Sequence, residues 1–409
     1  DDALDPNVSG SPLLSASTVE SAREILGVVA TATITVAGVA FSIALLVIQQ
    51  ASSQYSPRVV HSLFRDPFNR RVMGVALGTF TYALMVLRAV RSPLDDGGDA
   101  VVPNLSVGLA VLLGVVAILA VVAFIDHNAH TMEVSQLLDR VTRETIEEMD
   151  HAWPRGTAST SRPAVEPKGP GHPLLVQQRG WVQQVDEAAL LDLVPEGGTV
   201  RLELRAGRYA IEGTVLCTVW PTPDDPEHAE GCAADAIGVG PSRTMHKDPT
   251  YGIRQLADVA LIALSPGVND PSTAQDAIFH LADVSARVLA RDLPPDAEHD
   301  EQGRQLIRAE RPTHGSVLGL AFDEIRRASA TYPTVCIYLL EALHLIDETL
   351  ADDDAAHRAL VHRHAALVLA GAEHADLLPE DLAEVRRAHR TRFGDGVTEP
   401  TRRSITAAG

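Results

Sequence analysis

The sequence predicts a membrane α-helical N-terminal part followed by a cytoplasmic α+β domain with a small β unit and a helical C-terminal part. Three observations carry that fold class. Long uncharged apolar runs are confined to the first third of the 409 residues, although mean hydropathy over the chain is near zero (+0.05). From residue 128 onward, charged residues mix with apolar ones at helical spacing. Within that second part, a Pro/Gly/Ser/Thr-rich stretch and a run of alternating, glycine-punctuated residues mark a linker and a β unit.

The spans come first. Residues 25–48 give 24 consecutive uncharged positions and residues 101–125 give 25, each enough to cross a hydrocarbon core of about 30 Å. A third run, 72–90, is interrupted at Arg88, whose long side chain can reach the interface. Loop charge sets the orientation. The loop 55–71 carries Arg58, Arg65, Arg70 and Arg71 against Asp66, whereas 91–104 carries Asp95, Asp96 and Asp99 against Arg91. By the positive-inside rule the first loop is cytoplasmic and the second is outside. Residues 1–24 are then extracytoplasmic and everything after span three is inside, so a fourth span is expected ahead of residue 1 to bring both ends of the gene product into the cytoplasm.

Span one raises the functional question. Thr31, Thr35, Gly38, Ser42, Gln49 and Ser53 recur at steps of three, four or seven and make an uncharged polar stripe. Small and hydroxylated residues mark faces where membrane helices pack closely. The same stripe, repeated by symmetry, would line a water-filled path. Both readings stand on sequence alone. Past span three, Asp126 and His130 share a helix face, either as a solvated helix end or as a titrating pair.

Residues 128–153 read as a helical stalk with Val134, Leu138, Val141, Thr145 and Met149 on one face. A linker, 154–173, leads to the β-rich segment 174–245, whose run GRYAIEGTVLCTVW resembles the half-barrel of biotinyl/lipoyl modules without an attachment lysine. Residues 246–392 are predicted helical, with 291–309 as a short hairpin or loop, and 393–409 as a tail.

The densest polar cluster holds Arg243, Asp248, Arg254, Asp258, Asn269, Asp270 and Thr273. Arg254 and Asp258 can be a plain i,i+4 pair, and Asp270 a helix cap. The other reading is a ligand pocket at a helix start. No P-loop, G-x-S-x-G, H-E-x-x-H or Rossmann glycine run is present, so neither enzyme activity nor a cofactor is expected. His357, His362 and His364 alternate with arginines, which favours a surface helix over a metal site. Cys217, Cys232 and Cys336 have neither metal spacing nor even number. The net charge of −20 argues against nucleic acid as a partner.

The runs 34–60, 64–91, 102–127, 179–186, 213–221 and 248–274 resemble a family of bacterial membrane proteins catalogued as domain of unknown function 2254. The resemblance implies one more hydrophobic segment ahead of the chain and no particular activity. The run Met245-His246-Lys247 is more basic than the family's usual stretch before Asp248. Few spans and no internal repeat favour a homo-oligomeric ion channel or channel-like conduit in the bacterial cytoplasmic membrane. The lipid bilayer, further copies of itself and inorganic ions, with cations favoured, are its expected partners. The alternative is a membrane-anchored sensor or interaction module whose cytoplasmic domain binds a ligand or partner.

Overall fold

The computed structural model describes residues 18–54, 67–91, 103–131, 134–153 and 164–394, with the side chains of 47, 48, 50–54 and 128–131 outside that description. The chain divides into two compact units, Asp1–Leu137 and Leu138–Gly409.

In the first unit, α1 (Val19–Gln54), α2 (Pro67–Ala89) and α3 (Asn104–Thr131) pack on one another as an up-down-up bundle. Three stretches of them, Val19–Leu46, Phe68–Ala89 and Asn104–His127, are long and apolar enough to cross a membrane. α1 starts earlier than the uncharged run does, because the Thr18 hydroxyl accepts the Ser21 N–H (3.2 Å) and Glu20 sits at the positive end of the helix. Its seam is built from small residues. Ala22, Leu26 and Ala30 of α1 meet Ala83, Val86 and Val90 near the end of α2, and Val107 and Ala110 near the start of α3. A second cluster joins Ala40, Val72, Val121 and Phe124. Gly114 of α3 completes the fit, since a Cβ there would lie 3.2 Å from Val29 Cγ1. The buried hydroxyls of Thr33 and Thr79 donate to their own helix, to Val29 O and Val75 O, both at 2.8 Å. No polar group is therefore stranded in the seam by them. Outward, Phe41, Leu46, Met85, Leu112, Leu119 and Val122 are exposed, which suits a lipid-facing surface.

The second unit begins within α4 (Val134–Ala152). The sequence pattern reads this helix as a stalk, but its face of Leu138, Val141, Thr145 and Met149 is buried, and Thr145 lies against Gly252 of the same chain. The β part contains β1 (His172–Leu175), β2 (Gly180–Val185), α5 (Glu187–Leu191), β3 (Thr199–Leu202), β4 (Tyr209–Ala210), β5 (Val215–Trp220), α6 (Pro226–Asp235) and β6 (Ile237–Gly240). Helices α7 (Pro249–Ala263) and α8 (Pro271–Leu289) follow, then the hairpin β7 (Ala297–His299) and β8 (Gln305–Arg308). The chain ends in α9 (His314–Ala328), α10 (Pro333–Thr349), α11 (Ala355–His374) and α12 (Pro379–Phe393).

One sheet has the order β1-β5-β3-β8-β7, the other β4-β2-β6. β8 pairs with β3 in parallel, Thr199 opposite Gln305 through Leu202 opposite Arg308; the remaining pairings are antiparallel. The sheet therefore extends beyond the 174–245 segment, because its last two strands return from 297–308. The glycine-punctuated run is likewise shared between both sheets and does not close on itself as a half-barrel. Leu174, Val182, Val200, Leu216, Val219 and Leu306 form the core of this part. Helices α7 to α12 supply the helical core, with Ile253, Leu256, Ile278, Leu281, Phe322, Leu340 and Val385 fully buried or nearly so.

Candidate functional site

The polar stripe of α1 has a definite position on the helix. Thr31, Thr35, Gly38, Ser42 and Gln49 are all exposed on the single chain. At about 100° per residue they lie roughly opposite the buried line Ala22–Leu26–Ala30–Ala37–Ala40. Packing within the chain thus uses alanines and leaves the stripe unpartnered by α2 or α3. Two of its hydroxyls bond back along the helix, Thr35 to Thr31 O at 2.7 Å and Ser42 to Gly38 O at 3.0 Å. A shallow groove of about 580 Å³ runs along the upper part of this face from Glu24 to Thr35 and Val36. The Ser53 side chain lies outside the described residues.

In the second unit a cleft of about 610 Å³ opens between the β part and the start of α7. Arg205, Lys247, Asp248, Thr250, Arg308 and Arg311 are among its lining residues. Proline at N1 fixes the backbone entry to α7, and Asp248 occupies the cap position. Its carboxylate does not cap, because it is engaged elsewhere. Arg243 Nε donates to Oδ2 at 2.7 Å, the Thr250 hydroxyl donates to Oδ1, and Arg205 Nη1 stands 3.9 Å from Oδ1. Asp248 is 2% exposed. The Arg243 guanidinium also bonds Thr250 Oγ1 (2.9 Å) and sits 5.1 Å from the Tyr251 ring centroid. Gly207, at φ +83°, makes room for the pair: a Cβ there would overlap Asp248 Oδ2.

Charges around the cleft are unevenly committed. Arg308 is held by Glu187 (Nε–Oε1, 2.9 Å) and Glu298 (3.1 Å); burial opposes its charge, but these carboxylates keep the guanidinium above its ordinary range. Arg311 pairs with Asp296, and Glu310 with Arg208. Burial lowers the Arg205 guanidinium, against the pull of Asp248 and Glu310, and its Nε is buried with no hydrogen bond. Lys247 is exposed with φ +61°, and among the described residues no carboxylate pairs with its ammonium.

The rest of the predicted cluster is dispersed. Arg254 bonds Asp258 (2.7 Å) and reaches Glu324 of α9 (2.6 Å), tying two helices together. Asp270 caps α8, accepting the Ser272 and Thr273 N–H groups (both 3.1 Å) and the Thr273 hydroxyl (2.7 Å). Those bonds from Thr273 and Ser272 hold its carboxyl below the ordinary range. Asn269 turns the chain at φ +50°. The start of α7 and the cap of α8 are separated by the length of α7, about 22 Å for its 15 residues, so one pocket does not gather all seven residues. Arg205 and Gly207 gave no sequence signal, being remote from Asp248 in the chain; Thr250 sat inside the cluster and was passed over.

Burial pushes the Cys217 thiol up to about 12 and the Cys336 thiol up to about 11, which marks both as core sulfurs and not nucleophiles. Among the described residues, no group of three or more His, Cys, Asp or Glu is placed to hold a metal ion.

The three apolar helices agree with a sequence comparison. A family model described as predicted membrane protein (DUF2254) matches residues 1–344. The chain belongs to that family. Among curated relatives, uncharacterized protein Rv1290c of Mycobacterium tuberculosis is 30% identical over 360 residues, which cover 86% of this chain and 68% of the relative. Uncharacterized protein Mb1321c of Mycobacterium bovis gives the same figures. No solved structure matches. The matched region of this DUF2254 member takes in the α1 stripe and the cleft residues, and stops within α10.

Proposed function

We propose that this protein is a homo-oligomeric ion channel or channel-like conduit of the bacterial cytoplasmic membrane, regulated by a C-terminal domain in the cytoplasm. One observation carries the reading: the uncharged polar stripe of α1 faces away from both helices that α1 packs against. A lipid-exposed face gains nothing from Thr31, Thr35, Ser42 and Gln49, whereas a symmetric ring of copies would bring these residues to a shared axis. The three apolar helices among the described residues are too few to enclose a path alone. The cytoplasmic placement rests on the loop arginines, and a net charge of −20 would favour cations near an inner mouth.

Ion flux through liposomes carrying the purified protein tests this, with Ser42→Leu and Gln49→Leu beside wild type. Flux that either substitution blocks, in an intact oligomer, supports a lined path. Absence of flux from a well-folded wild-type oligomer sinks it.

The second reading is a membrane-anchored sensor or interaction module that is not an enzyme. It is favoured by the cleft, whose volume suits a small ligand; six acids line it against four bases, so an anionic ligand would have to reach Arg205 and Lys247. Isothermal titration with small phosphorylated or carboxylated compounds, comparing Arg205→Ala with wild type, separates the two: binding without flux selects the sensor.

A further inference from the structure

The helical part contains a hydrogen-bond chain that the channel and sensor readings leave unused. Asp354 Oδ2 lies 2.7 Å from His357 Nδ1, His357 Nε2 lies 3.1 Å from His314 Nδ1, and His314 Nε2 lies 3.0 Å from the Arg291 carbonyl. The two rings are edge to face, with centroids 4.3 Å apart. We propose that His314 and His357 form a one-proton latch that secures the C-terminal end of α4 only across a middle range of pH.

The proton count follows from donors and acceptors. The Arg291 carbonyl can only accept, so His314 must carry its proton on Nε2 and offer a lone pair at Nδ1. His357 must then donate from Nε2, and it must also donate from Nδ1 to the Asp354 carboxylate. Both contacts are made together only when His357 is an imidazolium and His314 is neutral. Remove one proton and His357 can serve only one partner. Either the Asp354 carboxylate loses its donor and meets a lone pair on Nδ1, or two lone pairs face each other between the rings, or His314 changes tautomer and leaves the Arg291 carbonyl without its donor. Add one proton and two N–H groups, both on cations, oppose each other. The chain is satisfied in one protonation state and broken on either side of it.

The surroundings agree with that assignment. Burial lowers the His314 imidazole, opposed by its bond to the Arg291 carbonyl; charged His357 lowers it further, while the Val288 carbonyl and Asp292 act the other way. His314 also opens α9, where the positive helix end disfavours a cation. His357 lies in the first turn of α11 beside Asp354, the helix cap. Asp354 is held below the ordinary carboxylate range by its bond from His357, and Arg358 adds to this. The Arg358 side chain is itself directed to Asp347 (3.3 Å) and to the Asp352 carbonyl (3.1 Å).

What the latch controls follows from Arg291. Its side chain is 1% exposed and grips the end of α4, with Nη2 on Asp150 Oδ1 (2.5 Å) and Nη1 on the Trp153 carbonyl (3.2 Å). One residue thus takes a proton-dependent bond on its backbone and clamps α4 with its guanidinium. Losing the His314 bond frees the backbone that carries the clamp.

Hydrogen exchange of the full chain in detergent micelles, followed by mass spectrometry of peptides ending at Trp153, tests the latch between about pH 5 and pH 9. His357→Gln is the reference at each pH and cancels the intrinsic exchange rate. A glutamine can present either a donor or an acceptor to His314, so it follows His314 without titrating. The expected ratio of wild-type to variant protection is bell-shaped, falling about fivefold on each side as one hydrogen bond is lost. A flat wild-type ratio, or a fall on one side only, overturns the one-proton count. Should His357→Gln fail to fold, His314→Gln serves as the reference, and a flat ratio against it overturns the proposal equally.

Discussion

Gly252 of α7 and Thr145 of α4 meet with no room for a β-carbon between them. A Cβ on Gly252 would overlap Thr145 Oγ1 and stand 2.9 Å from Thr145 Cβ. Thr145 is fully buried, and its hydroxyl turns back to Val141 O. This contact fixes how α4 lies on the helical domain. Gly252→Ala should destabilise the full chain by about 1–3 kcal/mol through overpacking, read as a lower midpoint in urea. Adding Thr145→Ala should recover only part of the loss, because the Thr145 Cβ stays in place. An unchanged midpoint in Gly252→Ala would contradict the close approach.

The Asp248 carboxylate is the hub of a buried network, and its removal leaves Arg243 and Arg205 without their shared anion. Asp248→Ala should cost about 3–5 kcal/mol, as for other broken buried pairs. Gly207→Ala should be destabilising at the same hub, through its positive φ and its overlap with Asp248 Oδ2. Chemical unfolding of both variants checks this. A cost near zero for Asp248→Ala would mean that the pair is solvated.

Two glycines in the membrane helices should behave oppositely. Gly114 lies against Val29, where a Cβ would meet Cγ1 at 3.2 Å, while a Cβ on Gly38 would meet nothing within 4 Å in the single chain. Gly114→Leu is expected to disturb the three-helix bundle itself. Gly38→Leu is expected to leave that bundle folded and to change only the oligomer, as seen by size-exclusion chromatography with light scattering. An oligomer indifferent to Gly38→Leu would place the stripe away from any contact between copies.

Acid should loosen the C-terminal helices. Burial lowers the His364 imidazole, with Asp323 opposing, and burial together with His362 lowers His389. Each folded pKa then lies below its unfolded value, so the unfolded chain binds more protons as pH falls through about 6.5. Stability is therefore retained at neutral pH and lost as the medium acidifies from about pH 7 to pH 5. His364→Gln and His389→Gln should each flatten that fall in thermal midpoint. An equal fall in both variants would assign the acid sensitivity to other groups.

Sequence alone determined the elements whose signal is local. The three apolar runs became α1, α2 and α3, because crossing a membrane demands length and apolarity from each segment separately. The cap of α8 was equally legible: Asp270 closes on amides two and three residues ahead. Arg254 with Asp258 was visible as a one-turn pair.

The tertiary structure decided everything that joins distant residues. Periodicity gave α4 an apolar face but not its partner, and Gly252 supplied one, more than a hundred residues further on. Strand β8 entered the sheet beside β3 after three helices had intervened, which no run of alternating residues announces. Arg205 and Gly207 came to Asp248 from the β part, and His314 came to His357 from another helix. The stripe on α1 was readable as a pattern, yet its direction was not. Only the packing of Ala22, Leu26, Ala30, Ala37 and Ala40 against α2 and α3 shows which side of the helix is left free. A helix face acquires meaning from what covers the opposite one, and that is a property of neighbours brought together by the fold.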